Sequence, residues 1–131
     1  VGVVLRWGAG TVVAHILVVD DDLDLRTTLC ELLQEGGFET VGAAHGEEAM
    51  SLLTPAHPLP ALILLDLMMP VMNGWQLIEA LRQTPRLAAI PVVVMTAGRS
   101  LETAPLLGAE IVLKPVRLAA LMTLARRYLV A

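Results

Sequence analysis

Five side chains placed where apolar runs end carry the chemistry open to this sequence. Asp20 and Asp21 follow Ile-Leu-Val-Val, Asp66 follows Ala-Leu-Ile-Leu-Leu, Thr96 follows Val-Val-Val-Met, and Lys114 follows Ile-Val-Leu. Short apolar runs of this kind read as buried parallel strands, and polar groups at the ends of such strands converge on one edge of a sheet. Three carboxylates, a hydroxyl and an ammonium then share one pocket. Carboxylates packed together repel, which raises at least one pKa unless a cation sits among them, so a hard divalent ion is implied. The candidate ligands are all oxygens, with no His or Cys at ligand spacing, and this favours Mg2+ over a transition metal. They are the carboxylates of Asp20, Asp21 and Asp66, with the Met68 main-chain carbonyl as a further ligand from the turn that follows. A carboxylate is also a competent nucleophile toward phosphorus, giving an acyl phosphate. Lys114 and Thr96 would then neutralise and position the transferring group.

Taken singly, these residues have plainer readings. Asp20, Asp21 and Asp22 could be a helix cap with extra acids near the positive helix end. Thr96 could be an ordinary strand-end hydroxyl, and Lys114 a solvated surface lysine. Their joint occurrence in this order makes the case for a site. His15 precedes a strand, His45 lies in a turn and His57 in a Pro-rich loop, so the three histidines are read as solvated and without a role. Cys30, among Leu29, Leu32 and Leu33, reads as a small core hydrophobe.

The elements that must position the five groups alternate along the chain. Strands are predicted over Ile16 to Asp20, Glu39 to Ala43, Ala61 to Asp66, Val92 to Thr96 and Glu110 to Leu113. Helices are predicted over Leu23 to Glu35, with Asp22 as N-cap and Gly36-Gly37 as the stop, then over Glu47 to Leu53 and Gly74 to Gln83. The last helix is placed over Val116 to Val130, with Leu118, Leu121, Met122, Ala125 and Leu129 on one face. Between the last two strands, Ala97 to Ala109 contains Gly98, Pro105 and Gly108, so a short or irregular fourth helix is expected there. Five strands alternating with helices point to an α/β, doubly wound parallel sheet.

The chain has 131 residues, enough for one domain that buries roughly 70% of its unfolded surface. Its formal charge of −4 removes any general electrostatic attraction to nucleic acid or anionic lipid. Hydrophobic residues make up 56% and mean hydropathy is +0.69, so much of the chain must be interior or interface. The longest apolar candidate, Leu59 to Met72, is broken by Pro60, Asp66 and Pro70, and no membrane span is expected. A single cysteine allows no intrachain disulfide, which fits a reducing compartment and hence the cytoplasm. Residues 1–14 read as an N-terminal extension of unknown role, whether an added edge strand, a loose tail or a cloning remnant, and residues 15–131 as the domain.

From Ile16 to Leu129 the chain resembles the response-regulator receiver domain of two-component signalling, of the CheY-like, single-domain type. The resemblance rests on ILVVDDD at Ile16 to Asp22, HGEEAM at His45 to Met50, LILLDLMMPVMNGWQLI at Leu62 to Ile78, PVVVMTA at Pro91 to Ala97 and LGAEIVLKP at Leu107 to Pro115. It implies a flavodoxin-like five-stranded sheet in the order 2-1-3-4-5. It also implies that Asp66 is the phosphoacceptor, Asp20 and Asp21 the Mg2+-binding acids, Thr96 the switch hydroxyl and Lys114 the phosphate-binding lysine, with a cis peptide at Lys114-Pro115. The donor would be a histidine kinase or phosphotransfer protein, the readout an unknown downstream protein or a homodimer, and neither nucleic acid nor membrane a partner. Such a domain is regulatory, assisting only its own phosphorylation and slow autodephosphorylation. As nothing after Ala131 would bind DNA, a stand-alone unit is expected.

Two departures bear on output. Thr96 and Lys114 are about one helical turn closer than is usual in the family, and Ile111 stands where many receivers carry Tyr or Phe. Signalling is therefore expected to bypass the Thr-to-aromatic relay and to use ordering of Arg99 to Leu107, with Ala120, Leu124 and Tyr128 as a partner stripe. The alternative is a phosphorylation-independent interaction module of the same fold. A phosphohydrolase of the haloacid-dehalogenase type would place a second Asp two residues after the nucleophile, where this chain has Met68.

Overall fold

The computed structural model describes residues 4–7, 10–69, 72–97 and 109–129. Its centre is an all-parallel sheet of five strands: β3 (His15–Val19), β4 (Glu39–Ala43), β5 (Leu62–Asp66), β6 (Val92–Thr96) and β7 (Glu110–Leu113). Their spatial order is β4-β3-β5-β6-β7, the 2-1-3-4-5 order of a flavodoxin-like sheet. Two short strands, β1 (Val4–Trp7) and β2 (Gly10–Val13), pair antiparallel in a sheet of their own. Of the readings open for residues 1–14, an added edge strand does not match these two strands, which pair with each other and not with the main sheet.

The apolar runs face both ways. Leu17, Val19, Ile63, Leu65 and Val94 point to one face, where they pack with Ala49, Leu53, Leu77, Ile78 and Leu81. Their neighbours Ile16, Val18, Leu62, Leu64, Val93 and Met95 point to the other, against Leu29, Leu33, Leu121 and Ala125. Strand side chains alternate faces, so a sheet covered on both sides needs apolar residues at every position. That requirement is why the runs are continuous.

Four helices cover the two faces among the described residues: α1 (Leu23–Glu35), α2 (Gly46–Ser51), α3 (Gly74–Gln83) and α4 (Leu118–Leu129). Asp22 caps α1 by accepting the Leu25 amide at 3.1 Å, and Gly37 follows its end at φ 94°, a left-handed conformation that glycine adopts without steric cost. Asn73 and Gln76 form a reciprocal capping box at the start of α3, with bonds of 3.0 and 2.9 Å.

Three expectations need correction. The second helix ends at Ser51 and begins a residue earlier than predicted, where the His45 ring nitrogen accepts the Glu48 amide at 3.2 Å and caps it. His45 therefore has a structural role that the sequence reading denied it. On α4 the buried residues are Leu121, Leu124, Ala125 and Leu129, while Leu118 is half exposed. Leu124 lies three residues beyond Leu121 on the same helical face, so the proposed Ala120, Leu124 and Tyr128 surface does not exist as drawn. Tyr128 donates its hydroxyl to Glu110 at 2.7 Å, and Arg127 bonds the same carboxylate at 2.6 Å. The expected short fourth helix and the Arg99 to Leu107 segment lie outside the described residues.

Candidate functional site

Strand register explains how residues distant in sequence meet. Val19 pairs with Leu65, so Asp20 and Asp66 each stand one residue beyond that pair. Asp66 in turn pairs with Met95, and Thr96 with Leu113, so each successive strand end is stepped by about one residue. The Lys114 amide continues the ladder by donating to the Thr96 carbonyl at 2.8 Å. All four strands thus release their polar residue at the carboxyl edge of the sheet, where a doubly wound fold leaves a crevice.

Asp20, Asp66 and Thr96 are the buried polar residues there, at 0%, 5% and 2% exposure, and Asp21 is exposed. The Lys114 ammonium bridges two carboxylates, 3.2 Å from Asp20 Oδ2 and 3.3 Å from Asp66 Oδ1. The Asp22 amide donates to Asp20 Oδ1 at 3.0 Å, and the Met68 amide donates to Asp66 Oδ1 at 3.3 Å. It is the amide of Met68 that contacts Asp66, and the residue is 69% exposed. One oxygen from each of Asp20, Asp21 and Asp66 lies within 4.8 Å of the others. Three acidic oxygens at that spacing, open to solvent through Asp21, fit a hard divalent cation such as Mg2+. The Lys114-Pro115 bond is cis.

The electrostatics follow from burial. Loss of solvent pushes the Asp66 carboxyl up to about 6, the charge of Asp20 adds to the rise, and Lys114 and the Met68 amide oppose it. Burial pulls Lys114 down, yet Asp66 and Asp20 together outweigh it and hold the ammonium above its usual value. At neutral pH the Asp66 carboxyl is therefore largely ionised beside a charged lysine.

A Cβ on Gly74 would lie 2.7 Å from Leu67 Cα and 2.9 Å from the Asp66 carbonyl, so only glycine lets α3 start against the chain that leaves β5. The Gly74 amide donates to the Leu67 carbonyl at 3.0 Å. Ile111 is half buried against the α2 and α3 side of the core, and Trp75 packs on that side in the first turn of α3. Residue-type reasoning missed Arg26, whose guanidinium donates to the Asp20 main-chain carbonyl at 2.7 Å. Its sequence signal was Gly42, a glycine inside a strand, which often marks close approach by another group.

Comparison with known proteins places this arrangement. A family described as "Response regulator receiver domain" matches residues 16–126. The Transcriptional regulatory protein CpxR of Escherichia coli (strain K12) is 44% identical over 96 residues, covering 73% of this chain and 38% of CpxR. Response regulator Rre1 of Synechocystis sp. is 39% identical over 83 residues, covering 63% of this chain and 35% of Rre1. The matches thus span little more than a third of these relatives. Among solved structures, the chemotaxis response regulator CheY4 of Vibrio cholerae superposes with a TM-score of 0.78 at 29% identity, over 88% of this chain and 98% of CheY4. The signal receiver domain of a histidine kinase from Syntrophus aciditrophicus gives 0.79 at 31% identity, over 88% and 89%.

Proposed function

The chain belongs to the response regulator receiver domain family, and from that premise we propose that it takes a phosphoryl group onto Asp66 and thereby changes its affinity for a partner. What supports the reading is one cluster: a buried aspartate with two more acidic oxygens within 4.8 Å and a lysine ammonium 3.3 Å away. The donor would be a phosphohistidine on a kinase or phosphotransfer protein in the cytoplasm. An Asp66 carboxylate oxygen attacks phosphorus, the P–O bond forms as the P–N bond breaks, and the imidazole leaves with the electron pair and collects a proton. Oδ1 of Asp66 already receives Lys114 and the Met68 amide, so the reacting oxygen in this reading is Oδ2. Lys114 and Thr96 receive the charge of the transferred group. Asp20, Asp21, Asp66 and the Met68 carbonyl would hold Mg2+, which when bound neutralises the phosphoryl oxygens.

The position two residues beyond Asp66 is Met68, which has no titratable group to move a proton to or from water. Hydrolysis of the acyl phosphate should therefore be slow, which suits a signal. The test is intact-mass analysis after exposure to a small-molecule phosphodonor. The expected result is a gain of one phosphoryl group that needs Mg2+ and disappears in Asp66→Asn. An adduct of the same stoichiometry in Asp66→Asn would overturn the assignment, and no adduct in the wild type would favour the phosphorylation-independent interaction module.

A further inference from the structure

Arg26 is the fourth residue of α1, where an arginine would ordinarily reach into water. Instead its side chain is half buried and folds back over the sheet edge. The cause lies in where β4 stops. The Asp20 amide still donates to the carbonyl of Ala43, the last residue of β4, at 3.1 Å. The Asp20 carbonyl points to the same side and finds no strand donor beyond that point, and a main-chain carbonyl taken from water needs one. Arg26 Nη1 supplies it at 2.7 Å. Gly42 gives the stem room: a Cβ there would lie 3.3 Å from Arg26 Cδ, and the aliphatic stem runs over β4 where no side chain projects.

Asp20 is consequently held at four points: its amide by the Ala43 carbonyl, its carbonyl by Arg26, Oδ1 by the Asp22 amide and Oδ2 by Lys114. Asp21 has no side-chain hydrogen bond among the described residues, so its carboxylate is aimed by the backbone alone. The peptide group that joins the two acids contains the carbonyl that Arg26 grips. We propose that Arg26 is a positioning residue for the cation site: by fixing the Asp20–Asp21 peptide, it aims both carboxylates at the ion. This rests on reading the pocket as an Mg2+ site. Groups that hold metal ligands in place typically account for 10–100-fold in affinity.

The charge of Arg26 acts in the opposite direction, because a second cation near the pocket repels Mg2+. The two roles are therefore separable by sign. The experiment is calorimetric titration of Mg2+ into the whole chain, with urea denaturation verifying that each variant is folded at the titration temperature. Arg26→Met keeps the stem on Gly42 and removes both donor and charge, and it should weaken Mg2+ roughly 10-fold. Arg26→Lys, which can still donate, should recover most of the loss. Gly42→Leu places a side chain at an exposed position where the stem now lies, and should weaken Mg2+ although it touches no acidic residue. Tighter binding in Arg26→Met would show that only its charge matters, and unchanged affinity with lowered stability would show a purely structural role; either overturns the proposal. Failure of the wild type to bind Mg2+ at all would overturn the metal reading itself, and this inference with it.

Discussion

Asp66 is the residue whose environment most changes its chemistry. Burial first and Asp20 second raise its carboxyl from 3.8 to about 6, so in the folded, metal-free chain it holds its proton more tightly than when unfolded. A raised carboxyl pKa disfavours the folded state above the folded value and ceases to do so as pH falls toward the unfolded one. Metal-free Asp66→Asn should therefore be more stable than wild type at pH 7.5, by roughly 1–3 kcal/mol. That advantage should shrink between pH 6 and pH 4 as the wild-type carboxyl protonates. Urea denaturation in chelator across that range checks it, and an advantage that grew on acidification would contradict the assigned cause. Lys114 is the counterpart, because its ammonium lies between two buried carboxylates. Lys114→Met should cost about 3 kcal/mol in chelator, since it leaves those charges uncompensated. Saturating Mg2+ should restore much of that loss by binding only the folded chain, and equal losses with and without Mg2+ would argue that the cation does not occupy this pocket.

At the scale of elements, the site depends on how α3 begins. A glycine in a helix ordinarily costs about 1 kcal/mol relative to alanine, so Gly→Ala is often stabilising. At Gly74 the sign should reverse, because the added methyl would meet main-chain atoms at 2.7 and 2.9 Å that cannot swing aside as a flexible side chain can. Gly74→Ala is expected to destabilise by about 1–3 kcal/mol through overpacking. It should also shift the Leu67–Met68 backbone enough to disturb the 3.3 Å bond from the Met68 amide to Asp66. Thermal denaturation checks the first expectation, and the Met68 amide chemical shift checks the second. The cap of α1 was legible because Asp22 directly precedes a heptad-like run of leucines. The cap of α2 was not, because an imidazole nitrogen accepting a backbone amide is outside the usual Ser, Thr, Asp and Asn set.

For the whole molecule, the β1–β2 hairpin pairs among the described residues only with itself in the strand ladder, whereas Ala14 is already buried in the main core. The proposed boundary between extension and domain is therefore best tested by removing residues 1–13 and keeping Ala14. Stability by urea and Mg2+ affinity should change little, within about 0.5 kcal/mol; a large loss of either would make the hairpin an integral part of the domain. The periodicity of the chain by itself determined that five strands alternate with helices and that each of four strands leads into a polar group. Those features are local: an unbroken apolar run, a terminal Asp, Thr or Lys, and a cap or glycine beside it. Strand order was available only from the resemblance, as no run states which neighbour it will pair with. Only the folded chain brings Lys114 within 3.2 Å of Asp20, 94 positions away, and turns Leu124 inward while leaving Leu118 half exposed. The same holds for Arg26, whose role depends on β4 ending at Ala43 one step short of the Asp20 carbonyl. Such facts belong to pairs of elements, and hydrogen-bond demand at a sheet edge is decided by where the neighbouring strand stops.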